Sequence, residues 1–330
     1  MKKILVRLLL CSSFIISSNA SAAIEETELF NGFISKMVSQ HQFDEAELKQ
    51  LFKSVDIKQN IIKTMQRPAE GMPWHKYRKI FMVDKRIKGG VKFWQQNEAT
   101  LSAVEEKYGV PAEIITAIIG VETYYGGNTG NHRIIDALST LAFAYPKRSK
   151  FFIGELEHFL LLCREEKMNP LEPLGSYAGA MGIPQFMPGS YRAYAADFEN
   201  DAKRDIWNNP ADAIASVANY FVKHHWRNGE SIAFKLKTEG EAYKQALSRG
   251  LKPVMPWSEL QALAVTAEQE IAADEKIKLL AFQQQKAEDL WAGLHNFYVI
   301  TRYNHSPLYG MAVYQLSQEI YNLKQQGKAL

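Results

Sequence analysis

Pro111 and the pair Gly126-Gly127 bracket a segment, residues 112–125, in which Ile115, Ile118 and Ile119 recur at helical spacing. Glu122 falls on the same stripe, with Val121 beside it. Proline suits the first helical position and glycine the position just past the last, so the punctuation agrees with the periodicity. A helix with this stripe has to be buried, which commits the chain to a helical core and a carboxyl to that core. Desolvation there disfavours the charged form, raises the pKa and keeps the carboxyl protonated, the state a general acid needs. A Glu paired with a core cation, or one left at the wet rim of the stripe, would give the same pattern. The stripe alone therefore fixes a helix but not a function. Tyr124 and Tyr125 follow, and the glycine pair would let a ligand approach the helix end.

Helical spacing recurs along most of the chain. Glu25–Gln40, Phe43–Asn60, Val91–Tyr108, Ile135–Tyr145 and Phe151–Lys167 read as helices, with a break at Pro68–Pro73. Pro210–Trp226 is the clearest of them: Asn209 caps it, Pro210 opens it, and Ile214, Val217 and Phe221 make its stripe. After Gly229 the texture changes. Ser231–Leu236, Leu251–Pro253, Ile277–Phe282, Ala287–Leu290 and Asn296–Thr301 alternate in part, as strands do, while Leu260–Ala273 fits either state. Leu308–Lys324 closes the chain as a helix. The expectation is a mainly α chain of α+β class. Its parts are a leader at 1–22, a helical region at 23–90, a core at 91–227, a small β-containing subdomain at 228–294, and a segment returning to the core at 295–330.

Residues 1–22 carry Lys2, Lys3 and Arg7, an apolar block from Ile4 to Ile16, and Ala20-Ser21-Ala22, which fits a secretory cleavage site. Leu8-Leu9-Leu10 before Cys11 makes a poor lipobox, so an exported soluble protein is favoured over a lipid-anchored one. The whole chain has 39 Lys and Arg against 36 Asp and Glu. All of that excess lies in the leader, so the remainder is charge-balanced. A nucleic-acid binder would carry a basic footprint, and this chain has none. Without the leader Cys163 is the single cysteine, which excludes an intramolecular disulfide; its apolar setting suggests a buried, inert thiol.

Two further segments carry chemistry. Residues 175–191 hold glycine at 175, 179, 182 and 189, but lack the Lys-Ser/Thr of a phosphate loop and the spacing of a dinucleotide loop. Ser176, Gln185, Tyr177 and Tyr191 add hydrogen-bonding groups and ring faces suited to a sugar, although a tightly packed connection would look similar. From Asp197, acids stand at positions 1, 3, 5 and 9 of an EF-hand-like count, Asp197, Glu199, Asp201 and Asp205. Ala202 occupies the position where the sharp turn calls for glycine, and Asn208 that of the closing Glu. Asp212 offers a late carboxylate, or a capping charge for the helix it opens. A solvated charged loop is the alternative. There is no H-E-x-x-H, C-x-x-C or G-x-S-x-G, and His224-His225 are adjacent and point apart, so zinc peptidases, dithiol redox proteins and α/β-hydrolases are not indicated.

Ile119-Gly-Val-Glu122-Thr-Tyr-Tyr-Gly126, Tyr145-Pro-Lys-Arg148, Gly175–Tyr191, Ala218-Asn-Tyr220-Phe and Phe297–Ser306 occur in one order. Together they resemble the lytic murein transglycosylases of the membrane-bound B type, from about Trp74 to near the C-terminus. The resemblance implies a lysozyme-like helical core with an added α domain and a small β domain. It implies non-hydrolytic cleavage of the MurNAc-β-1,4-GlcNAc bond of peptidoglycan to 1,6-anhydro products, with Glu122 as the single acid/base. It places Ser176 and Gln185 at hydrogen-bonding positions, and Tyr77, Lys147, Arg148, Phe186, Tyr220, Tyr298 and Tyr303 on or beside the groove. It matches Asp197, Glu199, Asp201, the Lys203 carbonyl and Asp212 to a cation loop that would hold a structural Ca²⁺; no cofactor is required for the chemistry. Expected partners are peptidoglycan strands and cell-wall synthesis or division proteins, in the periplasm, with the chain a monomer. A hydrolytic muramidase and a non-catalytic peptidoglycan-binding protein are the alternatives.

Overall fold

The computed structural model describes residues 27–66, 71–247 and 250–328. The leader, its cleavage site and Cys11 lie outside the described residues.

Two compact units divide the chain at Ile57. In the first, α1 (Glu28–His41) and α2 (Glu45–Phe52) share a core of Phe30, Phe33, Ile34, Met37, Leu48 and Phe52. Phe52 meets the edges of Phe30 and Phe33 at 5.1 and 5.9 Å. Thr27 caps α1, and Asp44 caps α2 by accepting the Glu47 N–H at 2.8 Å. The single helix expected over Phe43–Asn60 ends at Phe52; Val55 is buried in the irregular stretch that follows, before α3 (Gln59–Met65).

The second unit is mainly helical. After α3 come α4 (Trp74–Phe81), α5 (Asp84–Gln96), α6 (Glu98–Tyr108) and α7 (Ala112–Thr123). Periodicity missed α4 and read α5 and α6 as one; Asn97 ends the first and serves as N-cap of the second, a break with neither glycine nor proline to mark it. On α7, Ile114, Ile115, Ala117, Ile118 and Ile119 are fully buried, as the stripe requires. Helices α5 and α6 pack on α7, as do two later ones, α11 (Pro210–Lys223) and α14 (Pro307–Lys328). Between α7 and α11 lie the short strand β1 (His132–Arg133), α8 (Ile134–Ala144), a 3₁₀ turn at Pro146–Arg148, α9 (Ser149–Glu165), the short strand β2 (Leu174–Gly175) and α10 (Pro188–Tyr194). Asn209 caps α11 by accepting the Ala211 N–H, as its sequence indicated.

The β subdomain is a five-stranded sheet in the order β4-β6-β7-β3-β5. Its strands are β3 (Ala233–Thr238), β4 (Met255–Pro256), β5 (Val265–Ala267), β6 (Lys276–Gln283) and β7 (Glu288–Gly293), with α12 (Trp257–Gln261) between β4 and β5. Every pairing is antiparallel, and β6 and β7 form the central hairpin, Phe282 opposite Asp289. One face packs on α4, where Trp74 meets Phe282 at 5.1 Å. Residues 251–253 form no strand; the edge strand starts at Met255. Asn296–Thr301, expected as a strand, lies in α13 (His295–Tyr303). Its Phe297, Ile300 and Thr301 also fit helical spacing, and the buried Asn296 amide locks the helix start by donating to the Arg227 and Glu230 carbonyls and accepting the Arg227 N–H.

Candidate active site

Glu122 sits one residue from the end of α7, half-buried, in the wall of a pocket of about 390 Å³. The helix stops sooner than Gly126-Gly127 indicated. Tyr124 (φ 57°) and Tyr125 (φ 64°) are left-handed, where glycine is usual. Each such residue costs on the order of 1–2 kcal/mol, so the surroundings must hold them. Tyr125 fills a notch left by glycines: a Cβ on Gly120 would lie 2.6 Å from its ring, and one on Gly90 2.7 Å from its hydroxyl. That hydroxyl donates to the Arg86 carbonyl at 2.8 Å. The Arg86 guanidinium lies 4.5 Å from the Tyr124 ring and donates to the Gly120 carbonyl at 2.9 Å, which also accepts the Tyr124 N–H at the helix end. Thr123 ties the turn to the glycine-rich segment, its hydroxyl donating to the Ile183 carbonyl at 2.8 Å.

Burial pushes the Glu122 carboxyl up to about 7, and a hydrogen bond from Tyr309 partly opposes the shift. The Tyr309 hydroxyl stands 2.6 Å from Oε1. It is itself held far above its ordinary range by burial and by the Glu122 charge, so it remains a donor throughout the working pH range. Sequence reading missed Tyr309, which lies 187 residues from Glu122. The signal was a tyrosine on the buried stripe of α14, with Ala312, Val313 and Leu316, since a buried phenol needs a polar partner. The Tyr309→Phe variant removes a bond that favours the carboxylate, so the Glu122 pKa rises further. The alkaline limb of the kcat/KM profile is expected to move to higher pH while kcat falls; a limb that stays or moves to lower pH contradicts this role.

Several expected site residues gather near this pair. Tyr77 and Tyr303 both lie within electrostatic reach, Tyr77 of Tyr309 and Tyr303 of Glu122. Tyr303 donates to the Pro184 carbonyl at 2.6 Å and packs 4.8 Å from Tyr220. Phe186 is 1% exposed and lies 5.8 Å from Tyr220 and 5.9 Å from Tyr303, packed against these rings. Ser176 Oγ accepts the Ala178 and Ala180 N–H groups, which leaves its own proton free to donate. Gln185 is left-handed (φ 53°), and its amide nitrogen donates to the Thr129 and Gly182 carbonyls, both at 3.1 Å, which leaves its side-chain oxygen as an acceptor. Lys147 and Arg148 are exposed on the 3₁₀ turn, with Arg148 over Phe151 at 4.5 Å. Tyr298, five residues before Tyr303, points to another side of α13, toward Arg302 at 5.8 Å.

The loop from Asp197 does curl around an acid. Asp212 is 1% exposed and accepts the Phe198 and Asp205 N–H groups at 2.8 Å each. Burial raises its pKa, and the nearby Asp197 and Asp201 add to the effect. Yet Asp197 is turned onto the Asp201 and Ala202 N–H groups, Asp201 onto that of Lys203, and Glu199 onto the Asn209 amide. Among the described residues no three acids, histidines or cysteines are grouped as metal ligands. The expected set of Asp197, Glu199, Asp201, Lys203 and Asp212 is therefore not arranged as a cage. Ala202 takes the glycine conformation at φ 67°. Ala202→Gly is expected to stabilise the fold by about 0.5–1 kcal/mol in urea unfolding, strain relief outweighing the added unfolded-state entropy; a loss of stability contradicts this.

A family model described as the transglycosylase SLT domain matches residues 25–318. The membrane-bound lytic murein transglycosylase B of Escherichia coli K12 is 43% identical over 298 residues, covering 87% of this chain and 81% of that one. The catenated lytic transglycosylase SltB1 of Pseudomonas aeruginosa superposes with a TM-score of 0.87 at 47% identity, over 91% of this chain and 99% of that one. The Escherichia coli lytic transglycosylase Slt35 in complex with calcium gives 0.84 at 41%, over 91% and 94%. SltB3 of Pseudomonas aeruginosa in complex with NAG-NAM-pentapeptide gives 0.78 at 29%, over 88% and 78%.

Proposed function

The chain belongs to the transglycosylase SLT family and is a lytic murein transglycosylase with the lysozyme-like fold of that family; on that premise we propose that Glu122 is its one catalytic acid and base. The observation that supports this most is the Glu122 carboxyl itself, raised to about 7 and aligned by Tyr309. Among the described residues lining its pocket there is no second carboxylate. Most glycosidases use two, one as acid and one as nucleophile or base. A single carboxyl suits a reaction in which the substrate supplies the missing groups.

Protonated Glu122 donates its proton to the glycosidic oxygen, and the bond to C1 of the muramic residue breaks. The N-acetyl carbonyl of that residue stabilises the electron-poor C1, held in place by the Ser176 hydroxyl. Glu122, now a carboxylate, takes the proton of the C6 hydroxyl, whose oxygen closes on C1. The carboxyl ends protonated and no water is consumed. A pKa near 7 fits a group that must give and then take a proton at neutral pH. Digestion of purified sacculi in ¹⁸O-water tests this. The expected muropeptides are lighter by one water than reducing-end products and carry no ¹⁸O; labelled reducing ends would make the enzyme a hydrolase.

The secretory pattern of residues 1–22 and the membership of the family support a reaction in the periplasm, on peptidoglycan strands. Among the described residues no helix is long and apolar enough to cross a membrane. A calcium ion in the Asp197–Asp212 loop would require its carboxylates to turn toward a common point.

A further inference from the structure

On the face of α14 turned away from Glu122 lies a cleft of about 510 Å³, a size usual for small-ligand sites, to which the mechanism gives no role. Tyr309 and Gln318 are nine residues apart on that helix, which sets them about 180° apart around its axis. The sheet and α4 cover this face at Met311, which is buried with Trp74 and Phe282, and leave it open at Gln318 and Glu319, which are exposed. Trp74, Tyr314 and the half-buried Trp291 give the cleft an aromatic wall. Lys235 of β3 stands opposite Trp291 of β7, so both side chains leave the sheet on the same side. The Tyr314 hydroxyl donates to the Ala233 carbonyl at 3.0 Å and ties the helix to β3.

The charges in the cleft cancel. Lys235 lies 3.1 Å from Asp289, and Arg78 lies 3.9 Å from Glu319. No other charged side chain lines it among the described residues. Such a lining selects neither an anion nor a cation; what it offers is amides. Arg78 donates to the Gln315 side-chain oxygen at 2.7 Å, and the Gln284 amide nitrogen donates to Asp289 at 2.6 Å. The Gln315 amide nitrogen, the Gln284 side-chain oxygen and both ends of the Gln318 amide have no partner among the described residues. Rings beside free amide donors and acceptors, in a neutral setting, fit a neutral pyranose. Its C–H face packs on an apolar ring, and its hydroxyl and N-acetyl groups need donors and acceptors together.

We infer that this cleft is a second sugar-binding site, taking N-acetylated pyranose units of murein glycan outside the active-site groove. The inference rests on the transglycosylase reading, which supplies the polymer. Strands of a sacculus lie side by side, so an enzyme held by one contact meets the next strand at a high effective concentration. The ion pairs and the Tyr314 bond hold the walls in place beforehand, which lowers the ordering cost of binding.

The test uses the full chain carrying Glu122→Gln, which leaves sacculi uncut, with tetra-N-acetylchitotetraose as the soluble probe. Trp291 is one of six tryptophans, and its indole N–H resonance is assigned by its loss in Trp291→Phe. Chitotetraose is expected to shift that resonance saturably. Gln318→Ala, at an exposed helical position, removes one or two neutral hydrogen bonds and is expected to weaken this binding about three- to tenfold. Co-sedimentation with sacculi should fall with it. In the active enzyme the same substitution should leave kcat/KM on a soluble murein tetrasaccharide unchanged. An indole resonance that does not respond, a Gln318→Ala affinity equal to the parent's, or an equal loss on tetrasaccharide and sacculi would each overturn the proposal. Failure of the transglycosylase reading would instead appear as tetrasaccharide products without the anhydro ring, with the chitotetraose titration unaffected.

Discussion

Glu122→Gln is expected to lower kcat on sacculi by about 10²–10⁴, the range that general acid–base catalysis supplies. The amide can accept the Tyr309 hydrogen bond but can neither give nor take the proton. Substrate binding should survive, because the pocket keeps its shape. The same variant should gain stability where the native enzyme loses it. The folded carboxyl titrates near 7 against 4.5 in the unfolded chain, so between those values the native state holds more protons than the unfolded one. Stability therefore falls as pH rises through this window, by up to about 3 kcal/mol once pH exceeds 7. Glu122→Gln removes that loss. Urea unfolding at pH 4 and pH 8 should show equal stability at the lower pH and a more stable variant at the higher. A variant that turns over normally, or that is less stable at pH 8, contradicts both its role and its desolvation.

Gly182→Ala is expected to destabilise the fold by about 3 kcal/mol or more, enough to leave little folded protein. Gly182 is left-handed at φ 65°, and a Cβ there would lie 2.5 Å from the Ile206 carbonyl oxygen and 2.9 Å from its carbon. That oxygen accepts the Ile183 N–H at 2.8 Å, which joins the glycine-rich segment to the loop before α11. The Ile206 side chain also lies close, its Cγ1 at 2.7 Å, but the two backbone atoms cannot swing aside. Gly154 provides the contrast. It lies inside α9, and a Cβ there would meet nothing within 4 Å. Gly154→Ala should stabilise by about 0.5–1 kcal/mol through helix propensity alone. Thermal melts of the two variants beside the parent decide the matter: a Gly182→Ala protein as stable as the parent would mean the segment is not packed as described.

These positions also mark what a sequence can carry. Glu122 was legible because its surroundings are local: three isoleucines within two turns determine which face is buried. The Asn209 cap and the hairpin strands were legible for the same reason. The glycine-rich segment announced close approach, but its partner at Ile206 lies outside any local pattern. Tyr309 reaches Glu122 only through the packing of α14 on α7, and Arg86 reaches the helix end through the packing of α5. Asn296–Thr301 was misread because a short apolar window satisfies both periods, and the deciding interaction, the buried Asn296 amide, is with residues of another segment. The cation loop was legible as a run of acids at EF-hand spacing. Where the carboxylates point depends on backbone N–H groups that spacing does not reveal.

The central claim is that one desolvated carboxyl serves as acid and then as base. Its most direct test is the titration of the Glu122 carboxyl by ¹³C NMR in the free enzyme, assigned by difference from Glu122→Gln. A midpoint near 7 is expected, moving upward in Tyr309→Phe. A midpoint near 4.5, the value of an ordinary glutamate, would mean that Glu122 is ionised at neutral pH, and the proposed proton donor would be lost.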